Sequence, residues 1–397
     1  TFRSQMTDPE GNIWYLPKIS ECYQCEYSAR LYINKTWLDK VGLGIPTTTD
    51  EFYTALKAFK TQDPNGNGKA DEIGFVGAIT GWRTEIDLQI MNSFIYNDGR
   101  NRNRMVVKNG KVDVVYNKPE WRDGLRYMNK LVEEGLLDPV SFTQDASQLK
   151  QLGTASQDVL VGAFTGGTLN SISSPGHPVQ KNYVVMPPLK GPNGFTSTAY
   201  FPTIPQIGTF IITSEADYPD AAFRWADWMY NEEPSLYMRF GEKGVDWVPA
   251  PEGTVDPFGN QAFLKPILAW GSVQNSHWTF DQPGYSTRQM QVSQVVDPAA
   301  KTSANTLFIA ETVMYEEVAP GLDEVLPNLF FTVDELDEIQ DIKATIIGYV
   351  EETIARFVTG NMDIENDWDD YLAELDDMGL DKLIEVTQAV YERQYGN

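Results

Sequence analysis

Asp63, Asn65, Asn67, Lys69, Asp71 and Glu72 lie in the stretch DPNGNGKADE and place oxygen donors at alternate positions around glycine. A short loop wraps a calcium ion in this way. Counted from Asp63, the side chains of Asp63, Asn65 and Asn67 occupy loop positions one, three and five. Gly68 at six permits the sharp turn, Lys69 at seven offers its backbone carbonyl, and Asp71 at nine adds a carboxylate. Position twelve of an EF-hand loop is a bidentate glutamate; here it is Gly74, and Glu72 can supply that ligand instead. The set amounts to six donors, or seven if Glu72 binds through both oxygens, within the six to eight oxygens that calcium takes. The competing reading is a solvated Asp/Asn/Gly turn, because Asn-Gly is an ordinary turn former.

The flanks decide what such a loop could do. Upstream, Thr48 and Glu51 fit a capping box, and Phe52, Ala55, Leu56 and Phe59 share one helical face. Downstream, Ile73 to Ile79 is a short apolar run bounded by turn residues, which predicts a strand. A calcium sensor needs a helix on both sides and usually a second loop. The expected role is therefore a staple between helix and strand, with Ca2+ structural.

Other chemistry is thinly supplied. The two cysteines, Cys22 and Cys25, form C-x-x-C without the strand–helix context of a thiol oxidoreductase, and only His177 and His277 could complete a zinc site. An inert thiol pair is the first reading and a local disulfide in an exported protein the second. With two histidines, Ser/His/Asp catalysis has little to draw on. The 56 acidic residues always allow an arguable pair of carboxyls for glycoside hydrolysis, but none sits in a catalytic motif. Net charge is −25, which repels nucleic acid and anionic membrane as partners. Part of the excess is local, since residues 361–397 hold 11 Asp/Glu against Lys382 and Arg393. Aromatic content of 12%, with ten tryptophans, suits the apolar faces of sugar rings, although tryptophan is also a core residue.

At 397 residues the chain can bury two substantial cores, and no apolar run approaches the length of a membrane span. Asp8 to Asn12 reads as a turn leading into a strand over Ile13 to Pro17. A strand is predicted at 29–34, a short helix at 35–42 and a capped helix at 48–62. Further on come a helix from Trp82 to Phe94 and a hairpin across Asn109-Gly110. Pro119 opens a helix that Gly135 closes, and Val159 to Phe164 predicts a buried strand followed by the small-residue loop Thr165 to Thr168. This alternation argues for an α/β fold with helices covering a sheet. Residues 187–205 are the best linker. Beyond it a strand runs from Gln206 to Thr213 and a helix over 218–231, whereas 248–330 is irregular, aromatic and rich in Pro and Gly. Thr332 and Glu335 box the start of a long striped helix that ends at Gly360, and a last helix covers about Asp381 to Gln394.

Several motifs follow one another in a specific order: Leu31-Tyr32-Ile33-Asn34-Lys35, Leu38-Asp39-Lys40-Val41-Gly42-Leu43, Ile45-Pro46-Thr47-Thr48 and the DPNGNGKADEIG loop. Gly241-Glu242-Lys243-Gly244-Val245-Asp246-Trp247 comes later, then Phe357-Val358-Thr359-Gly360 and Trp368-Asp369-Asp370-Tyr371. In that order they resemble the extracellular solute-binding proteins of sugar ABC transporters, especially the calcium-carrying alginate-oligosaccharide binders, over nearly the whole chain. The resemblance implies a periplasmic-binding-protein-like two-lobe fold of class II type. The calcium-bearing lobe would take residues 18–205 plus 332–397 and the second lobe 1–17 plus 206–331. It also implies that early strand–helix units of the second lobe would precede Thr1, leaving that lobe incomplete and its parallel sheet short of strands. The implied function is non-catalytic: a monomer on the outer membrane face (lipid-anchored) or in the periplasm, capturing an oligosaccharide for an ABC permease. Glycoside hydrolase and surface glycan adhesin are the alternatives.

For the ligand, Trp82 and Arg83 match the family's sugar-contacting loop, and Thr165 and Gly167 belong to a loop small enough for backbone to approach a sugar. Tyr200, Phe201, Trp247, Trp270, Trp278 and Phe280 are further stacking candidates. Arg83, Arg100, Arg102 and Arg104 could act as forks for a uronate carboxylate, while neutral sugars fit the acidic chain at least as well.

Overall fold

The computed structural model describes residues 2–3, 5–99, 103–156, 158–267, 282–295, 309 and 311–396. Eleven strands are described: β1 (Leu16–Ser20), β2 (Arg30–Asn34), β3 (Ile73–Val76), β4 (Met105–Lys108), β5 (Lys111–Val114), β6 (Val161–Gly166), β7 (Tyr183–Val185), β8 (Gln206–Phe210), β9 (Trp247–Pro249), β10 (Leu264–Pro266) and β11 (Gly284–Ser286). The chain divides into two compact units. One takes Thr1–Glu26, Pro202–Thr312 and Pro327–Phe330; the other takes Tyr27–Phe201, Val313–Leu326 and Phe331–Asn397. Compared with the expected division, residues 18–26 and 202–205 join the first unit, and 313–326 and 331 the second.

The larger unit is built on a four-stranded sheet in the order β3-β6-β2-β7. It is mixed and not parallel: β3 runs with β6, while β2 is antiparallel to both β6 and β7. Every residue of β2 and β6 is buried, as expected where helices cover both faces. Helix Thr49–Thr61 supplies one cover and buries Phe52, Ala55, Leu56 and Phe59. Phe52 meets Phe75 of β3 edge-on at 5.2 Å, and Gly162 of β6 lets the Phe59 ring approach where a Cβ would stand 2.6 Å from it. At the helix start the Thr48 hydroxyl accepts from the Glu51 amide at 3.1 Å, but the Glu51 carboxylate reaches back one residue further than a capping box, to the Thr47 amide at 2.8 Å.

Asn109-Gly110 turns the β4–β5 hairpin, with both residues in the left-handed region. Helix Val333–Val358 opens on a complete Thr332/Glu335 capping box and packs on helices Pro119–Glu133 and Leu380–Tyr395. Its stripe buries Ile339, Ile346, Val350, Ile354 and Phe357, whereas Leu336, in the first turn, stays exposed.

In the smaller unit, β1 pairs in parallel with β11 and antiparallel with β8, a mixed sheet again. The strand begins three residues later than the apolar pattern predicts. Asp8 explains the shift: its carboxylate accepts from the Asn12 amide at 2.7 Å and from the Trp14 indole at 2.6 Å, tying the segment before β1 into a turn. A second ladder, β9–β10, carries a cluster of Leu236, Phe240, Trp247, Leu264 and Met290. Helix Pro219–Trp228 leaves Phe223, Trp225 and Trp228 about half exposed. Cys22 and Cys25 are joined by a disulfide, in place of the expected thiol pair. The single helical turn that bonds the Cys25 amide to the Cys22 carbonyl brings their Cα atoms to 5.1 Å, within disulfide range. Among the described residues no helix is long and apolar enough to cross a membrane.

Candidate functional site

In the larger unit the chain leaves β3 at Val76 and folds back on the ends of β3 and β6. The Ala78 amide donates to the Thr84 carbonyl at 2.9 Å, the Thr84 hydroxyl to Thr80 at 2.7 Å, and the Gly167 amide to the Trp82 carbonyl at 2.8 Å. Helix does not start at Trp82 as the pattern suggests. Gly81 has φ +121° and Arg83 φ +63°, neither compatible with a right-handed helix, so the first helical residue is Ile86. The loop presents Trp82 outward, 43% exposed. The ring lies against the Gly167 backbone so closely that a Cβ there would stand 2.2 Å from Cε3.

Arg83 follows in a strained conformation that the surroundings hold. Its guanidinium lies 3.3 Å over the centre of the Phe201 ring, and Nε donates to the Ser28 hydroxyl at 3.1 Å. Beside it Tyr200 stacks on Tyr27 with centroids 5.1 Å apart and planes 4° from parallel. The loop thus places the exposed Trp82 ring next in the chain to Arg83, whose side chain reaches Phe201 and Ser28. Such a ring suits a ligand with apolar C–H faces and a hydroxyl rim.

The other expected ligand residues fare differently. Thr165 is fully buried, with its hydroxyl donating to the Thr84 carbonyl, so it shapes the loop and is closed to a ligand. Gly167 contributes as the seat of Trp82. Trp247 is a core residue, 6% exposed in the smaller unit's cluster, with its indole N–H donated to Gly241 at 3.1 Å. Trp270, Trp278 and Phe280 lie outside the described residues, as do Arg100 and Arg102. Arg104 is no carboxylate fork: it is 3% exposed and already donates from Nε and Nη2 to Asp87 at 3.2 and 2.9 Å. The sequence pattern missed Tyr27, Ser28 and Asp87, whose partners lie up to 173 positions along the chain and leave no local spacing signal.

The loop from Asp63 to Glu72 is organised through its own oxygens. Asp63 accepts from the amides of Gly66, Asn67 and Gly68 at 3.0, 3.2 and 3.0 Å, and Asn65 and Asn67 cap Asn67 and Lys69 in turn. The side-chain amides of Asn65 and Asn67 converge on Asp71, and Asn67 also reaches Asp158 at 3.3 Å, a residue 91 positions away. Glu72 Oε1 is buried without a hydrogen-bond partner. Burial, joined by the Asp63 and Asp71 charges, holds the Glu72 carboxyl above its ordinary range. Among the described residues no three His, Cys, Asp or Glu side chains stand together as a formed metal cluster. The donor chemistry nonetheless fits a hard cation, being all oxygen, with one buried carboxylate oxygen lacking a partner.

Residues 8–235, more than half of the chain, match the model of the family described as bacterial extracellular solute-binding protein. The chain belongs to that family. This solute-binding protein is 28% identical to the fructooligosaccharide ABC transporter substrate-binding protein FusA of Streptococcus pneumoniae, over 100% of this chain and 72% of FusA. Among solved structures it resembles an HMO-binding, ABC-transporter-associated solute-binding protein of Bifidobacterium longum infantis. The TM-score there is 0.80 at 23% identity, covering 100% of this chain and 79% of that one. FusA in complex with kestose aligns with TM-score 0.74 at 25% identity, covering 99% and 78%; FusA has also been solved as an EF-hand mutant with fructo-nystose. The alginate-binding protein AlgQ2 without calcium ion shares the fold, with TM-score 0.67 at 19% identity over 98% and 76% of the two chains.

Proposed function

We propose that this solute-binding protein captures an oligosaccharide outside the cell and delivers it, unaltered, to the permease of an ABC importer. The observation that carries the reading is the outward Trp82 ring, seated on the Gly167 backbone beside the Arg83–Phe201 stack. A solvent-facing indole held by a glycine that admits no side chain is a stacking platform. Burial of a sugar face against it contributes about 1–3 kcal/mol. The comparisons support the reading, since FusA is described as a fructooligosaccharide binder and was solved with kestose.

In the same reading Ca2+ is held by Asp63, Asn65, Asn67, the Lys69 carbonyl, Asp71 and Glu72. A bound ion would offset the charges of Asp63, Asp71 and Glu72, and these residues would then fix the segment between helix Thr49–Thr61 and β3. That FusA has been solved as an EF-hand mutant agrees with it. The protein acts as a monomer, lipid-anchored at the outer face of the membrane or free in the periplasm. Calorimetric titration with neutral trisaccharides, kestose among them, followed by chromatography of the recovered sugar, tests the function. Saturable binding with intact sugar is expected; cleaved product, or heat for none of them, would overturn it.

A further inference from the structure

The sequence holds four Asn-Gly pairs: Asn65-Gly66, Asn67-Gly68, Asn109-Gly110 and Asn193-Gly194. Such a pair carries chemistry of its own, because glycine has no side chain to shield its amide nitrogen from the neighbouring asparagine amide. The nitrogen gives up its proton and attacks Cγ, the side-chain nitrogen leaves as ammonia, and a cyclic imide forms. Water then opens the ring at one carbonyl or the other, which yields aspartate or isoaspartate. No further reactant is needed.

The fold treats the four glycine amides unequally. Gly66 donates to Asp63 Oδ1 at 3.0 Å and Gly68 to Asp63 Oδ2 at 3.0 Å, so one carboxylate holds both nitrogens of the loop, each through a different oxygen. Such a charge-assisted bond must open before the nitrogen can turn on Cγ, and the adjacent negative charge makes the amide anion costlier to form. The side chains under attack are held as well: Asn65 Oδ1 accepts from the Asn67 amide at 2.9 Å, and Asn67 Oδ1 from the Lys69 amide at 2.8 Å. Gly194 has a neutral acceptor, the Gly191 carbonyl at 3.0 Å.

Asn109-Gly110 is built differently. The β4–β5 ladder pairs Lys108 with Lys111 and leaves these two residues as the turn, both exposed, with φ +53° and +76°. Gln388 grips the turn through the Gly110 carbonyl, donating from Nε2 at 3.1 Å. Among the described residues the Gly110 amide itself makes no hydrogen bond.

We infer that Asn109-Gly110 is a site of spontaneous deamidation, and that Asp63 guards Asn65 and Asn67 against the same reaction. Asp63 thereby preserves two amide oxygens of the loop, whether or not an ion is bound. At Asn109, isoaspartate adds a methylene to the main chain of a two-residue turn and draws the Gly110 carbonyl away from Gln388, so the modified chain melts earlier.

Peptide mapping by mass spectrometry tests this on the 397-residue chain, held for days in mildly alkaline buffer with a chelator. The same chain in guanidinium supplies the unfolded rate of each pair. In the folded chain Asn109 should lead the four. Asn65 and Asn67 should fall behind their own unfolded rates by about tenfold or more, the weight of a hydrogen bond to a charged group. Asp63→Ala should return both to near those rates while Asn193 stays as it was. If Asn193 also accelerates, that variant has unfolded. Asp63→Asn then takes its place, because asparagine tolerates the φ of +46° at this position and keeps one oxygen without the charge. A smaller rise at Asn65 and Asn67 is expected from it. An Asn109 that reacts no faster than Asn193 in the folded chain overturns the site. Unchanged rates at Asn65 and Asn67 in a folded Asp63 variant overturn the guard.

Discussion

Gly167→Ala isolates the seat of Trp82. The new Cβ would stand 2.2, 2.5 and 2.7 Å from three atoms of the indole. To restore ordinary contact, which begins at 3.4 Å, the ring must retreat by more than 1 Å. The backbone tolerates the change, because Gly167 is not among the left-handed residues. The hydrogen bond from the Gly167 amide to the Trp82 carbonyl holds the two main chains together, so the side chain has to yield. A gap of about 0.5–1 Å forfeits a quarter to a half of a dispersion well. If complete loss of the platform costs about 1–3 kcal/mol, the displaced ring should cost about half of that, or roughly two- to tenfold in affinity. Calorimetry with the best neutral trisaccharide measures it in four proteins: wild type, Gly167→Ala, Trp82→Ala and the double variant. The cycle decides the matter: once the indole is gone, Gly167→Ala should cost almost nothing further. An equal loss from Gly167→Ala in both backgrounds, or no loss in either, would refute the seating argument.

Calcium should raise the melting temperature of the wild type, by about 2.7 kcal/mol of stability at a hundredfold excess over the dissociation constant, and chelation should reverse it. Asp63→Ala should abolish the response; a variant that still responds like wild type would count against the loop as the site. Asp87→Ala strands the buried Arg104 charge and should destabilise by about 3–5 kcal/mol in urea titrations, part of which Arg104→Met should restore in the double variant. A loss below about 1 kcal/mol would show that the guanidinium finds another partner. Hydrogen bonds from Arg393, then from the Thr332 amide, hold Glu335 down at about 2. The depressed carboxyl adds stability above its ordinary range near 4.5 that is lost as pH falls toward 2, so Arg393→Met should flatten the melting profile over that window.

The local features of the fold were legible. Thr332 with Glu335, Asn109-Gly110 and Pro119 with Gly135 each act within a few residues, and each marks a boundary that the structure shows. The turn chemistry of Asp63 to Glu72 reads equally well, because its bonds within the loop span two to six positions; the bond from Asn67 to Asp158, 91 positions away, is the part no local pattern shows. The ligand face is harder to read, since long-range contacts assemble it. Thr165 is withdrawn by a carbonyl 81 positions away, Arg104 by a carboxylate 17 positions away, and Trp82 is seated by a glycine on another strand end. Trp247 shows the same limit: an indole in a Gly-rich segment has one composition whether it faces sugar or core, and only packing against Leu264 and Met290 decides.

The larger unit is assembled from three separate stretches, and helix Val333–Val358 packs on helix Pro119–Glu133 some two hundred residues earlier. Its core cannot close until helices Val333–Val358 and Leu380–Tyr395 have been synthesised. Contacts of such separation fold slowly, because a long loop must be closed before they reward it. For a member of an extracellular family this delay is useful. Until its final helices are made, the sheet around β2 and β6 lacks them, an order of assembly that would keep the polypeptide loose enough to be threaded across a membrane.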